Sequence, residues 1–241
     1  MKQRITLISD THTRHGLINL LDLPGGDILI HAGDLMNSGY NSNEVKDFCY
    51  WYNSLSQYDS KIFIAGNHDR FFENNPDGAK GIYEEYKAID YLQDDQLTIY
   101  NDGPNGDLTG DNIKIYGSPW QPEFYNWAFN LPKNGPGLMS KWEAIPHDTD
   151  ILVTHCPPSG ILDTSGYPYN EPMLGCTILR ERVDLIVPKI HVFGHIHGSA
   201  GYRFLNGTHF FNASLLNEEY QYANKPITFD WDKETNAIEF I

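Results

Sequence analysis

Residues 5–12 read Ile-Thr-Leu-Ile-Ser-Asp-Thr-His. A short apolar run stops abruptly at ionisable side chains, and the same punctuation returns four more times along the chain. Asp27–His31 leads into Gly33-Asp34, and Lys61–Ala65 into Gly66-Asn67-His68-Asp69. Asp150–Thr154 leads into His155, and Ile190–Phe193 into Gly194-His195-Ile196-His197. Each run predicts a strand, and runs apolar on both faces suit a sheet covered by helices on its outside. The predicted class is α/β.

Between these strands, Val45, Phe48, Cys49, Tyr52 and Leu55 recur at helical spacing over 42–56, with Asn41 and Glu44 arranged like a capping box. Weaker helical patterns cover 80–91, 136–145 and 176–187. Antiparallel pairs are predicted for 96–100 with 112–116 across a Gly/Asp/Asn-rich loop, and for 202–205 with 209–211 across Asn206-Gly207. A last pair joins 227–231 and 237–241. The aromatic stretch 117–137 carries too much apolar surface for a linker. No repeat or domain boundary interrupts the chain, so 1–241 reads as a single domain.

Composition narrows the function. With 17 Lys+Arg against 32 Asp+Glu the formal net charge is −15, which opposes gripping a long nucleic acid through released counterions. Cys49, Cys156 and Cys176 are odd in number and far apart, which fits neither a disulfide framework nor a paired-cysteine zinc site. MKQRITLISD lacks the apolar stretch of a signal peptide, and no window approaches the roughly 20 apolar residues of a membrane span. A cytoplasmic location without membrane attachment is expected. A chain of 241 residues needs no metal to stabilise its core, so any metal is expected to be functional.

The strand-ending residues are imidazoles, carboxylates and a carboxamide, the donor set for divalent first-row metals. Ligands collect at the carboxyl ends of strands in α/β sheets, so five such ends can meet at one place. Composition alone yields about 0.8 Asp-x-His and 0.4 His-x-His matches, but only about 0.07 of Gly-Asn-His. The ordered conjunction of all five blocks carries the signal.

These blocks resemble the calcineurin-like metallophosphoesterase superfamily, whose pattern is DxH, GDx, GNH(D/E), an isolated His and GHxH. THCPP at 154–158, GC at 175–176, HVFGHIH at 191–197 and IYGSPWQPEFYNWAFNLP at 115–132 are similar to its metallophosphoesterase-domain-containing, brain-type branch. The resemblance runs from about Ile5 to Phe229. It implies a four-layer α/β/β/α sandwich of two mixed β-sheets flanked by helices. It also implies two divalent ions, manganese foremost, with iron, zinc, cobalt, nickel or magnesium as alternatives. The first ion would be held by Asp10, His12, Asp34 and His197; Asp34 would bridge to the second, held also by Asn67, His155 and His195. Some members of the branch carry Gly in place of the first His of GHxH and are impaired; this chain keeps His195. Asp69 stands where the branch more often has Glu, and Cys156 where Gly is common.

The implied chemistry is hydrolysis by a hydroxide bridging two metals, with His68 as general acid or leaving-oxygen stabiliser and Asp69 orienting its other ring nitrogen. Two divalent ions, Asp10, Asp34 and a hydroxide leave a site charge of about +1, which suits a phosphodiester monoanion better than a monoester dianion. The expected activity is that of a phosphodiesterase acting on small phosphodiesters, with cyclic nucleotides as candidates. A non-catalytic nucleotide-binding regulator and a phosphomonoesterase or protein phosphatase are the alternatives. Arg14, His15 and Arg70 follow the motifs closely enough to line the rim, with Arg14 and Arg70 as candidate substrate-binding residues contacting phosphate, although solvated surface residues are the commoner outcome. For 119–131, core packing and a substrate-stacking wall built on Trp120 and Trp127 compete evenly. His31, His147, His191 and His209 lack a motif position and read as core or surface residues, and Cys156 as a small buried one.

Overall fold

The computed structural model describes residues 2–100, 112–165 and 173–241. In chain order its strands are β1 (Lys2–Ile8), β2 (Gly26–Ala32), β3 (Tyr58–Ile64), β4 (Asp90–Tyr91), β5 (Asp95–Ile99), β6 (Ile113–Ser118) and β7 (Gln121–Pro122). Then follow β8 (Asn130–Leu131), β9 (Ile151–Thr154), β10 (Ile190–Phe193), β11 (Gly201–Leu205), β12 (Thr208–Asn212), β13 (Ile227–Asp232) and β14 (Ala237–Phe240). The helices are α1 (Ser42–Ser54), α2 (Arg70–Asn74), α3 (Pro76–Tyr83), α4 (Pro136–Glu143) and α5 (Thr177–Ile186).

Two six-stranded sheets result, ordered β14-β13-β1-β2-β3-β4 and β11-β12-β10-β9-β6-β5. Each has four parallel strands, and antiparallel strands complete it: β13 and β14 lie together on one edge of the first, β11 and β5 on opposite edges of the second. The alternation of the strands explains the layering. Ile5, Leu7, Ile28, Ile30, Ile62 and Ile64 point inward to meet Ile151, Val153, Ile190 and Val192 of the other sheet. Leu29 and Phe63 point outward against Val45, Phe48 and Tyr52 of α1, while Leu152 and Phe193 meet Trp142 of α4 and Val183 of α5. The four-layer α/β/β/α sandwich is therefore present. Phe211 and Phe229 stack across the inter-sheet core at 4.8 Å and 2°.

The predicted hairpins form, with Asn206 and Gly207 both at positive φ; the loop expected between 100 and 112 lies outside the described residues. Two expectations change. The pattern over 80–91 is a helix only to Tyr83: Asn75 caps Gly78 N–H and Pro76 occupies the first turn, so α3 begins early, and Asp90–Tyr91 pairs with Ile62–Phe63 as β4. Asn41 caps α1 as expected, accepting from Asn43 N–H, but Glu44 reaches past it to the N–H of Asn37 at 2.9 Å. That bond fixes a turn beside the site.

Candidate metal centre

The five punctuated strand ends meet along one edge, three from the first sheet and two from the second. A bridge between Ser9 and Ser214 joins the sheets there. Asp10, His12, Asp34 and His195 all adopt left-handed backbone, with φ of 54°, 40°, 58° and 68°. Asp and His tolerate this region better than most residues, and the bend turns each side chain over the strand end. Gly194 sits so close that a Cβ would lie 2.0 Å from Asp10 Oδ2. Any larger residue in that position of the Gly-His-x-His motif would displace a candidate ligand.

The donors converge at this edge. Asp34 Oδ2 lies 3.3 Å from His155 Nε2 and 3.7 Å from His12 Nε2. His197 Nε2 is 3.2 Å from Asp10 Oδ1, and His155 Nε2 is 2.9 Å from Asn67 Oδ1. Each of three rings donates its other nitrogen to a backbone carbonyl: His12 to Met36 at 3.1 Å, His155 to Ala32 at 2.9 Å and His197 to Asn217 at 2.9 Å. That arrangement fixes Nδ1–H and aims the Nε2 lone pair inward, as metal-ligating histidines require. His12 Nε2 is buried with no hydrogen-bond partner, a cost that a metal ion would relieve. The residues fit a dinuclear site. His195 lines the cleft and its ring meets that of His155 at 5.1 Å. Among the described residues, no trio of His, Cys, Asp or Glu donors within 4.8 Å of one another includes it.

The electrostatics divide the rings. Burial lowers His12 to about 4 and His195 to about 3. Burial also opposes charge on His155 and His197, but Asp34 and Asp10 overcome it and raise both to about 9. Both carboxyls are held below their usual range by these imidazoles in spite of their burial. A proton on His155 or His197 would therefore compete with a cation for the same nitrogen.

His68 faces the same cleft, but its orientation corrects the expectation for Asp69. His68 Nδ1–H donates to the Asn37 carbonyl at 2.5 Å. Asp69 instead accepts backbone N–H groups of Gly66 at 2.7 Å, Met36 at 2.8 Å and Asp34 at 2.9 Å, tying two ligand loops together. Burial and the Asp34 carboxylate raise it to about 8 against the pull of those donors. Arg14 is exposed and lines neither the cleft nor its neighbour. His15 is buried against Trp51 and bonded to Asp47 at 3.1 Å, away from the rim. The aromatic segment divides: Trp120 donates to Asp94 and packs on Phe129, while Trp127 stacks on His68 at 4.2 Å and 25°.

The cleft of about 370 Å³ is completed by residues that the motifs do not contain, among them Lys133, Glu218 and Tyr220. The Tyr220 ring touches those of His12 at 4.9 Å and His197 at 5.4 Å, capping the first ligand group. Ser214 donates to Asp10 Oδ2 at 2.8 Å. Ser214 follows β12, whose polar end Asn212-Ala213-Ser214 obeys the same strand-end punctuation and was available as a signal. Nothing local distinguishes Tyr220.

A family model described as calcineurin-like phosphoesterase matches residues 3–199. Metallophosphoesterase domain-containing protein 1 of Homo sapiens and of Mus musculus is 39% identical over 255 residues, covering 97% of this chain and 72% of the relative. A solved protein from Thermus thermophilus superposes with a TM-score of 0.63 at 12% identity, covering 100% of this chain and 99% of that one. A putative 5′-nucleotidase from Staphylococcus aureus does so at 0.52 and 14%, covering 100% of this chain and 53% of that one. The two structures share the fold; the family model over residues 3–199 and the relatives at 39% identity show that the chain belongs to the calcineurin-like phosphoesterases.

Proposed function

We propose that this chain is a single catalytic domain that hydrolyses small phosphodiesters with two divalent ions, manganese foremost. The observation that carries the reading is the donor set, with three imidazoles locked by carbonyls and one buried lone pair, on His12, left without a partner. When bound, the ions supply positive charge to the phosphoryl group and a hydroxide at neutral pH.

The chain's own residues supply the rest. His68 is locked at Nδ1 by Asn37 and on its face by Trp127, so Nε2 is presented to the cleft to protonate a leaving oxygen. Among the described residues lining the cleft, the formal charges of Glu218 and Lys133 offset one another. The site excess therefore stays near the roughly +1 that favours a diester monoanion. Cyclic nucleotides remain candidate substrates. Three buried, unpaired cysteines support a cytoplasmic location. Among the described residues no helix is long and apolar enough to cross a membrane.

The test is elemental analysis of the purified protein, followed by kinetics on aryl diesters, cyclic nucleotides and aryl monoesters with wild type and His195→Ala. Two metals per chain and a diester preference are expected. Much faster monoester turnover would overturn the diester reading, and full activity in the variant would remove His195 from the centre.

A further inference from the structure

Trp127 has a second role. Beyond the side that meets His68, it also walls a neighbouring cleft of about 460 Å³ lined by Tyr40, Arg70 and Tyr125, with Asn37 and Asn126 as polar groups. The Arg70 guanidinium lies 5.5 Å from the Tyr40 ring and 6.0 Å from the Trp127 ring. It makes no hydrogen bond or ion pair with any described residue, although the chain carries 32 carboxylates. Tyr40 and Tyr125 are 66% and 78% exposed. Rings with open faces around an unpaired guanidinium form a stacking platform for a planar group that also accepts hydrogen bonds.

This platform is welded to His68. Asn37 takes the His68 Nδ1–H. A Cβ on Gly39, whose φ is +81°, would fall 2.0 Å from the His68 carbonyl oxygen, so the turn carrying Tyr40 packs directly on the backbone that carries Arg70. The cleft and the ring facing the leaving oxygen therefore form one unit.

We propose that this second cleft binds the leaving-group half of the substrate, and that this half is a planar heteroaromatic group of nucleoside type. The inference rests on the diesterase reading. Hydrolysis forms a bond from phosphorus to the oxygen of water and breaks the bond to the leaving alcohol, whose oxygen receives a proton from His68 Nε2. The departing half emerges on the His68 side, where Trp127 and the guanidinium receive it. Arg70 thus recognises the ring rather than the phosphoryl group.

Phenylglyoxal labelling of the metal-loaded protein, read by peptide mass spectrometry, tests this without relying on turnover. Adenosine should slow labelling of Arg70 several-fold and inorganic phosphate should not; Tyr40→Ala should abolish the adenosine protection. Protection by phosphate alone, or by neither, overturns the assignment. In a parallel assay, Tyr40→Ala and Arg70→Ala should each lower kcat/KM for a dinucleoside monophosphate about 5- to 100-fold, the range of one lost stacking contact. Unchanged kinetics in both variants overturn the proposal while leaving the diesterase reading intact. If wild type hydrolyses no diester, that reading fails, and the labelling result still decides the cleft.

Discussion

The two sheets are built to nearly the same plan, yet they bring different chemistry to their shared edge. The first supplies Asp10, His12, Asp34, Asn67 and His68; the second supplies only imidazoles, His155, His195 and His197, with Ser214 behind them. Carboxylates buried in the first half are offset by rings from the second, His155 against Asp34 at 3.3 Å and His197 against Asp10 at 3.2 Å. A buried carboxylate without a partner costs several kcal/mol. Neither half is therefore complete until the sheets are stacked, and the inter-sheet core is as much a part of the site as its ligands.

The sharpest way to break this complementarity is Asp34→Ala, which removes the carboxylate that faces rings of both sheets. Activity should fall by about three orders of magnitude, equivalent to about 4 kcal/mol, with bound metal lost in parallel by elemental analysis. Phe211→Ala attacks the packing between the halves and leaves the donors in place. Unfolding in urea should show a loss of about 3–5 kcal/mol, with metal content per folded molecule retained. Asp69→Ala loosens only the first half, by freeing the loops that carry Asp34 and Asn67. Metal affinity should weaken about 10- to 100-fold, as measured by competition with a chelating dye.

The smallest effect is a matter of protons. His155 and His197 lie at about 9 in the metal-free protein against an ordinary value of 6.5. Loading at pH 7 should therefore release about two protons per molecule by calorimetry in buffers of different ionisation enthalpy. Metal affinity should climb to about pH 9 and then level off. Because both pKa values are raised on folding, their stabilisation is full below pH 6.5 and fades as pH rises through 9. The metal-free protein should melt at a lower temperature at pH 9.5 than at pH 6.5.

What could be read from the sequence follows the same division between backbone and partner. Strand ends were legible because a buried strand must be apolar and its end is where polar groups first become affordable. Asp10, His12, Asp34, Asn67, His155 and His197 accordingly came with their strands. Partner choice was not legible. Asp69 has the composition of a partner for His68, yet it accepts the N–H groups of Gly66, Met36 and Asp34, and His68 donates to Asn37. Trp120 and Trp127 lie seven residues apart in one aromatic run, and Asp94, from the turn between β4 and β5, and Phe129 hold Trp120 in place. Tyr220 reaches the site from a loop whose sequence offers no periodicity to mark it.

The left-handed turns at Asp10, His12, Asp34 and His195 give the cage a mechanical character. Such torsions cost about 1–2 kcal/mol per residue, and they are held by the strands beneath. A cage whose dimensions are set by torsion angles also resists widening, and it will discriminate among cations by radius more than a pocket of mobile side chains would.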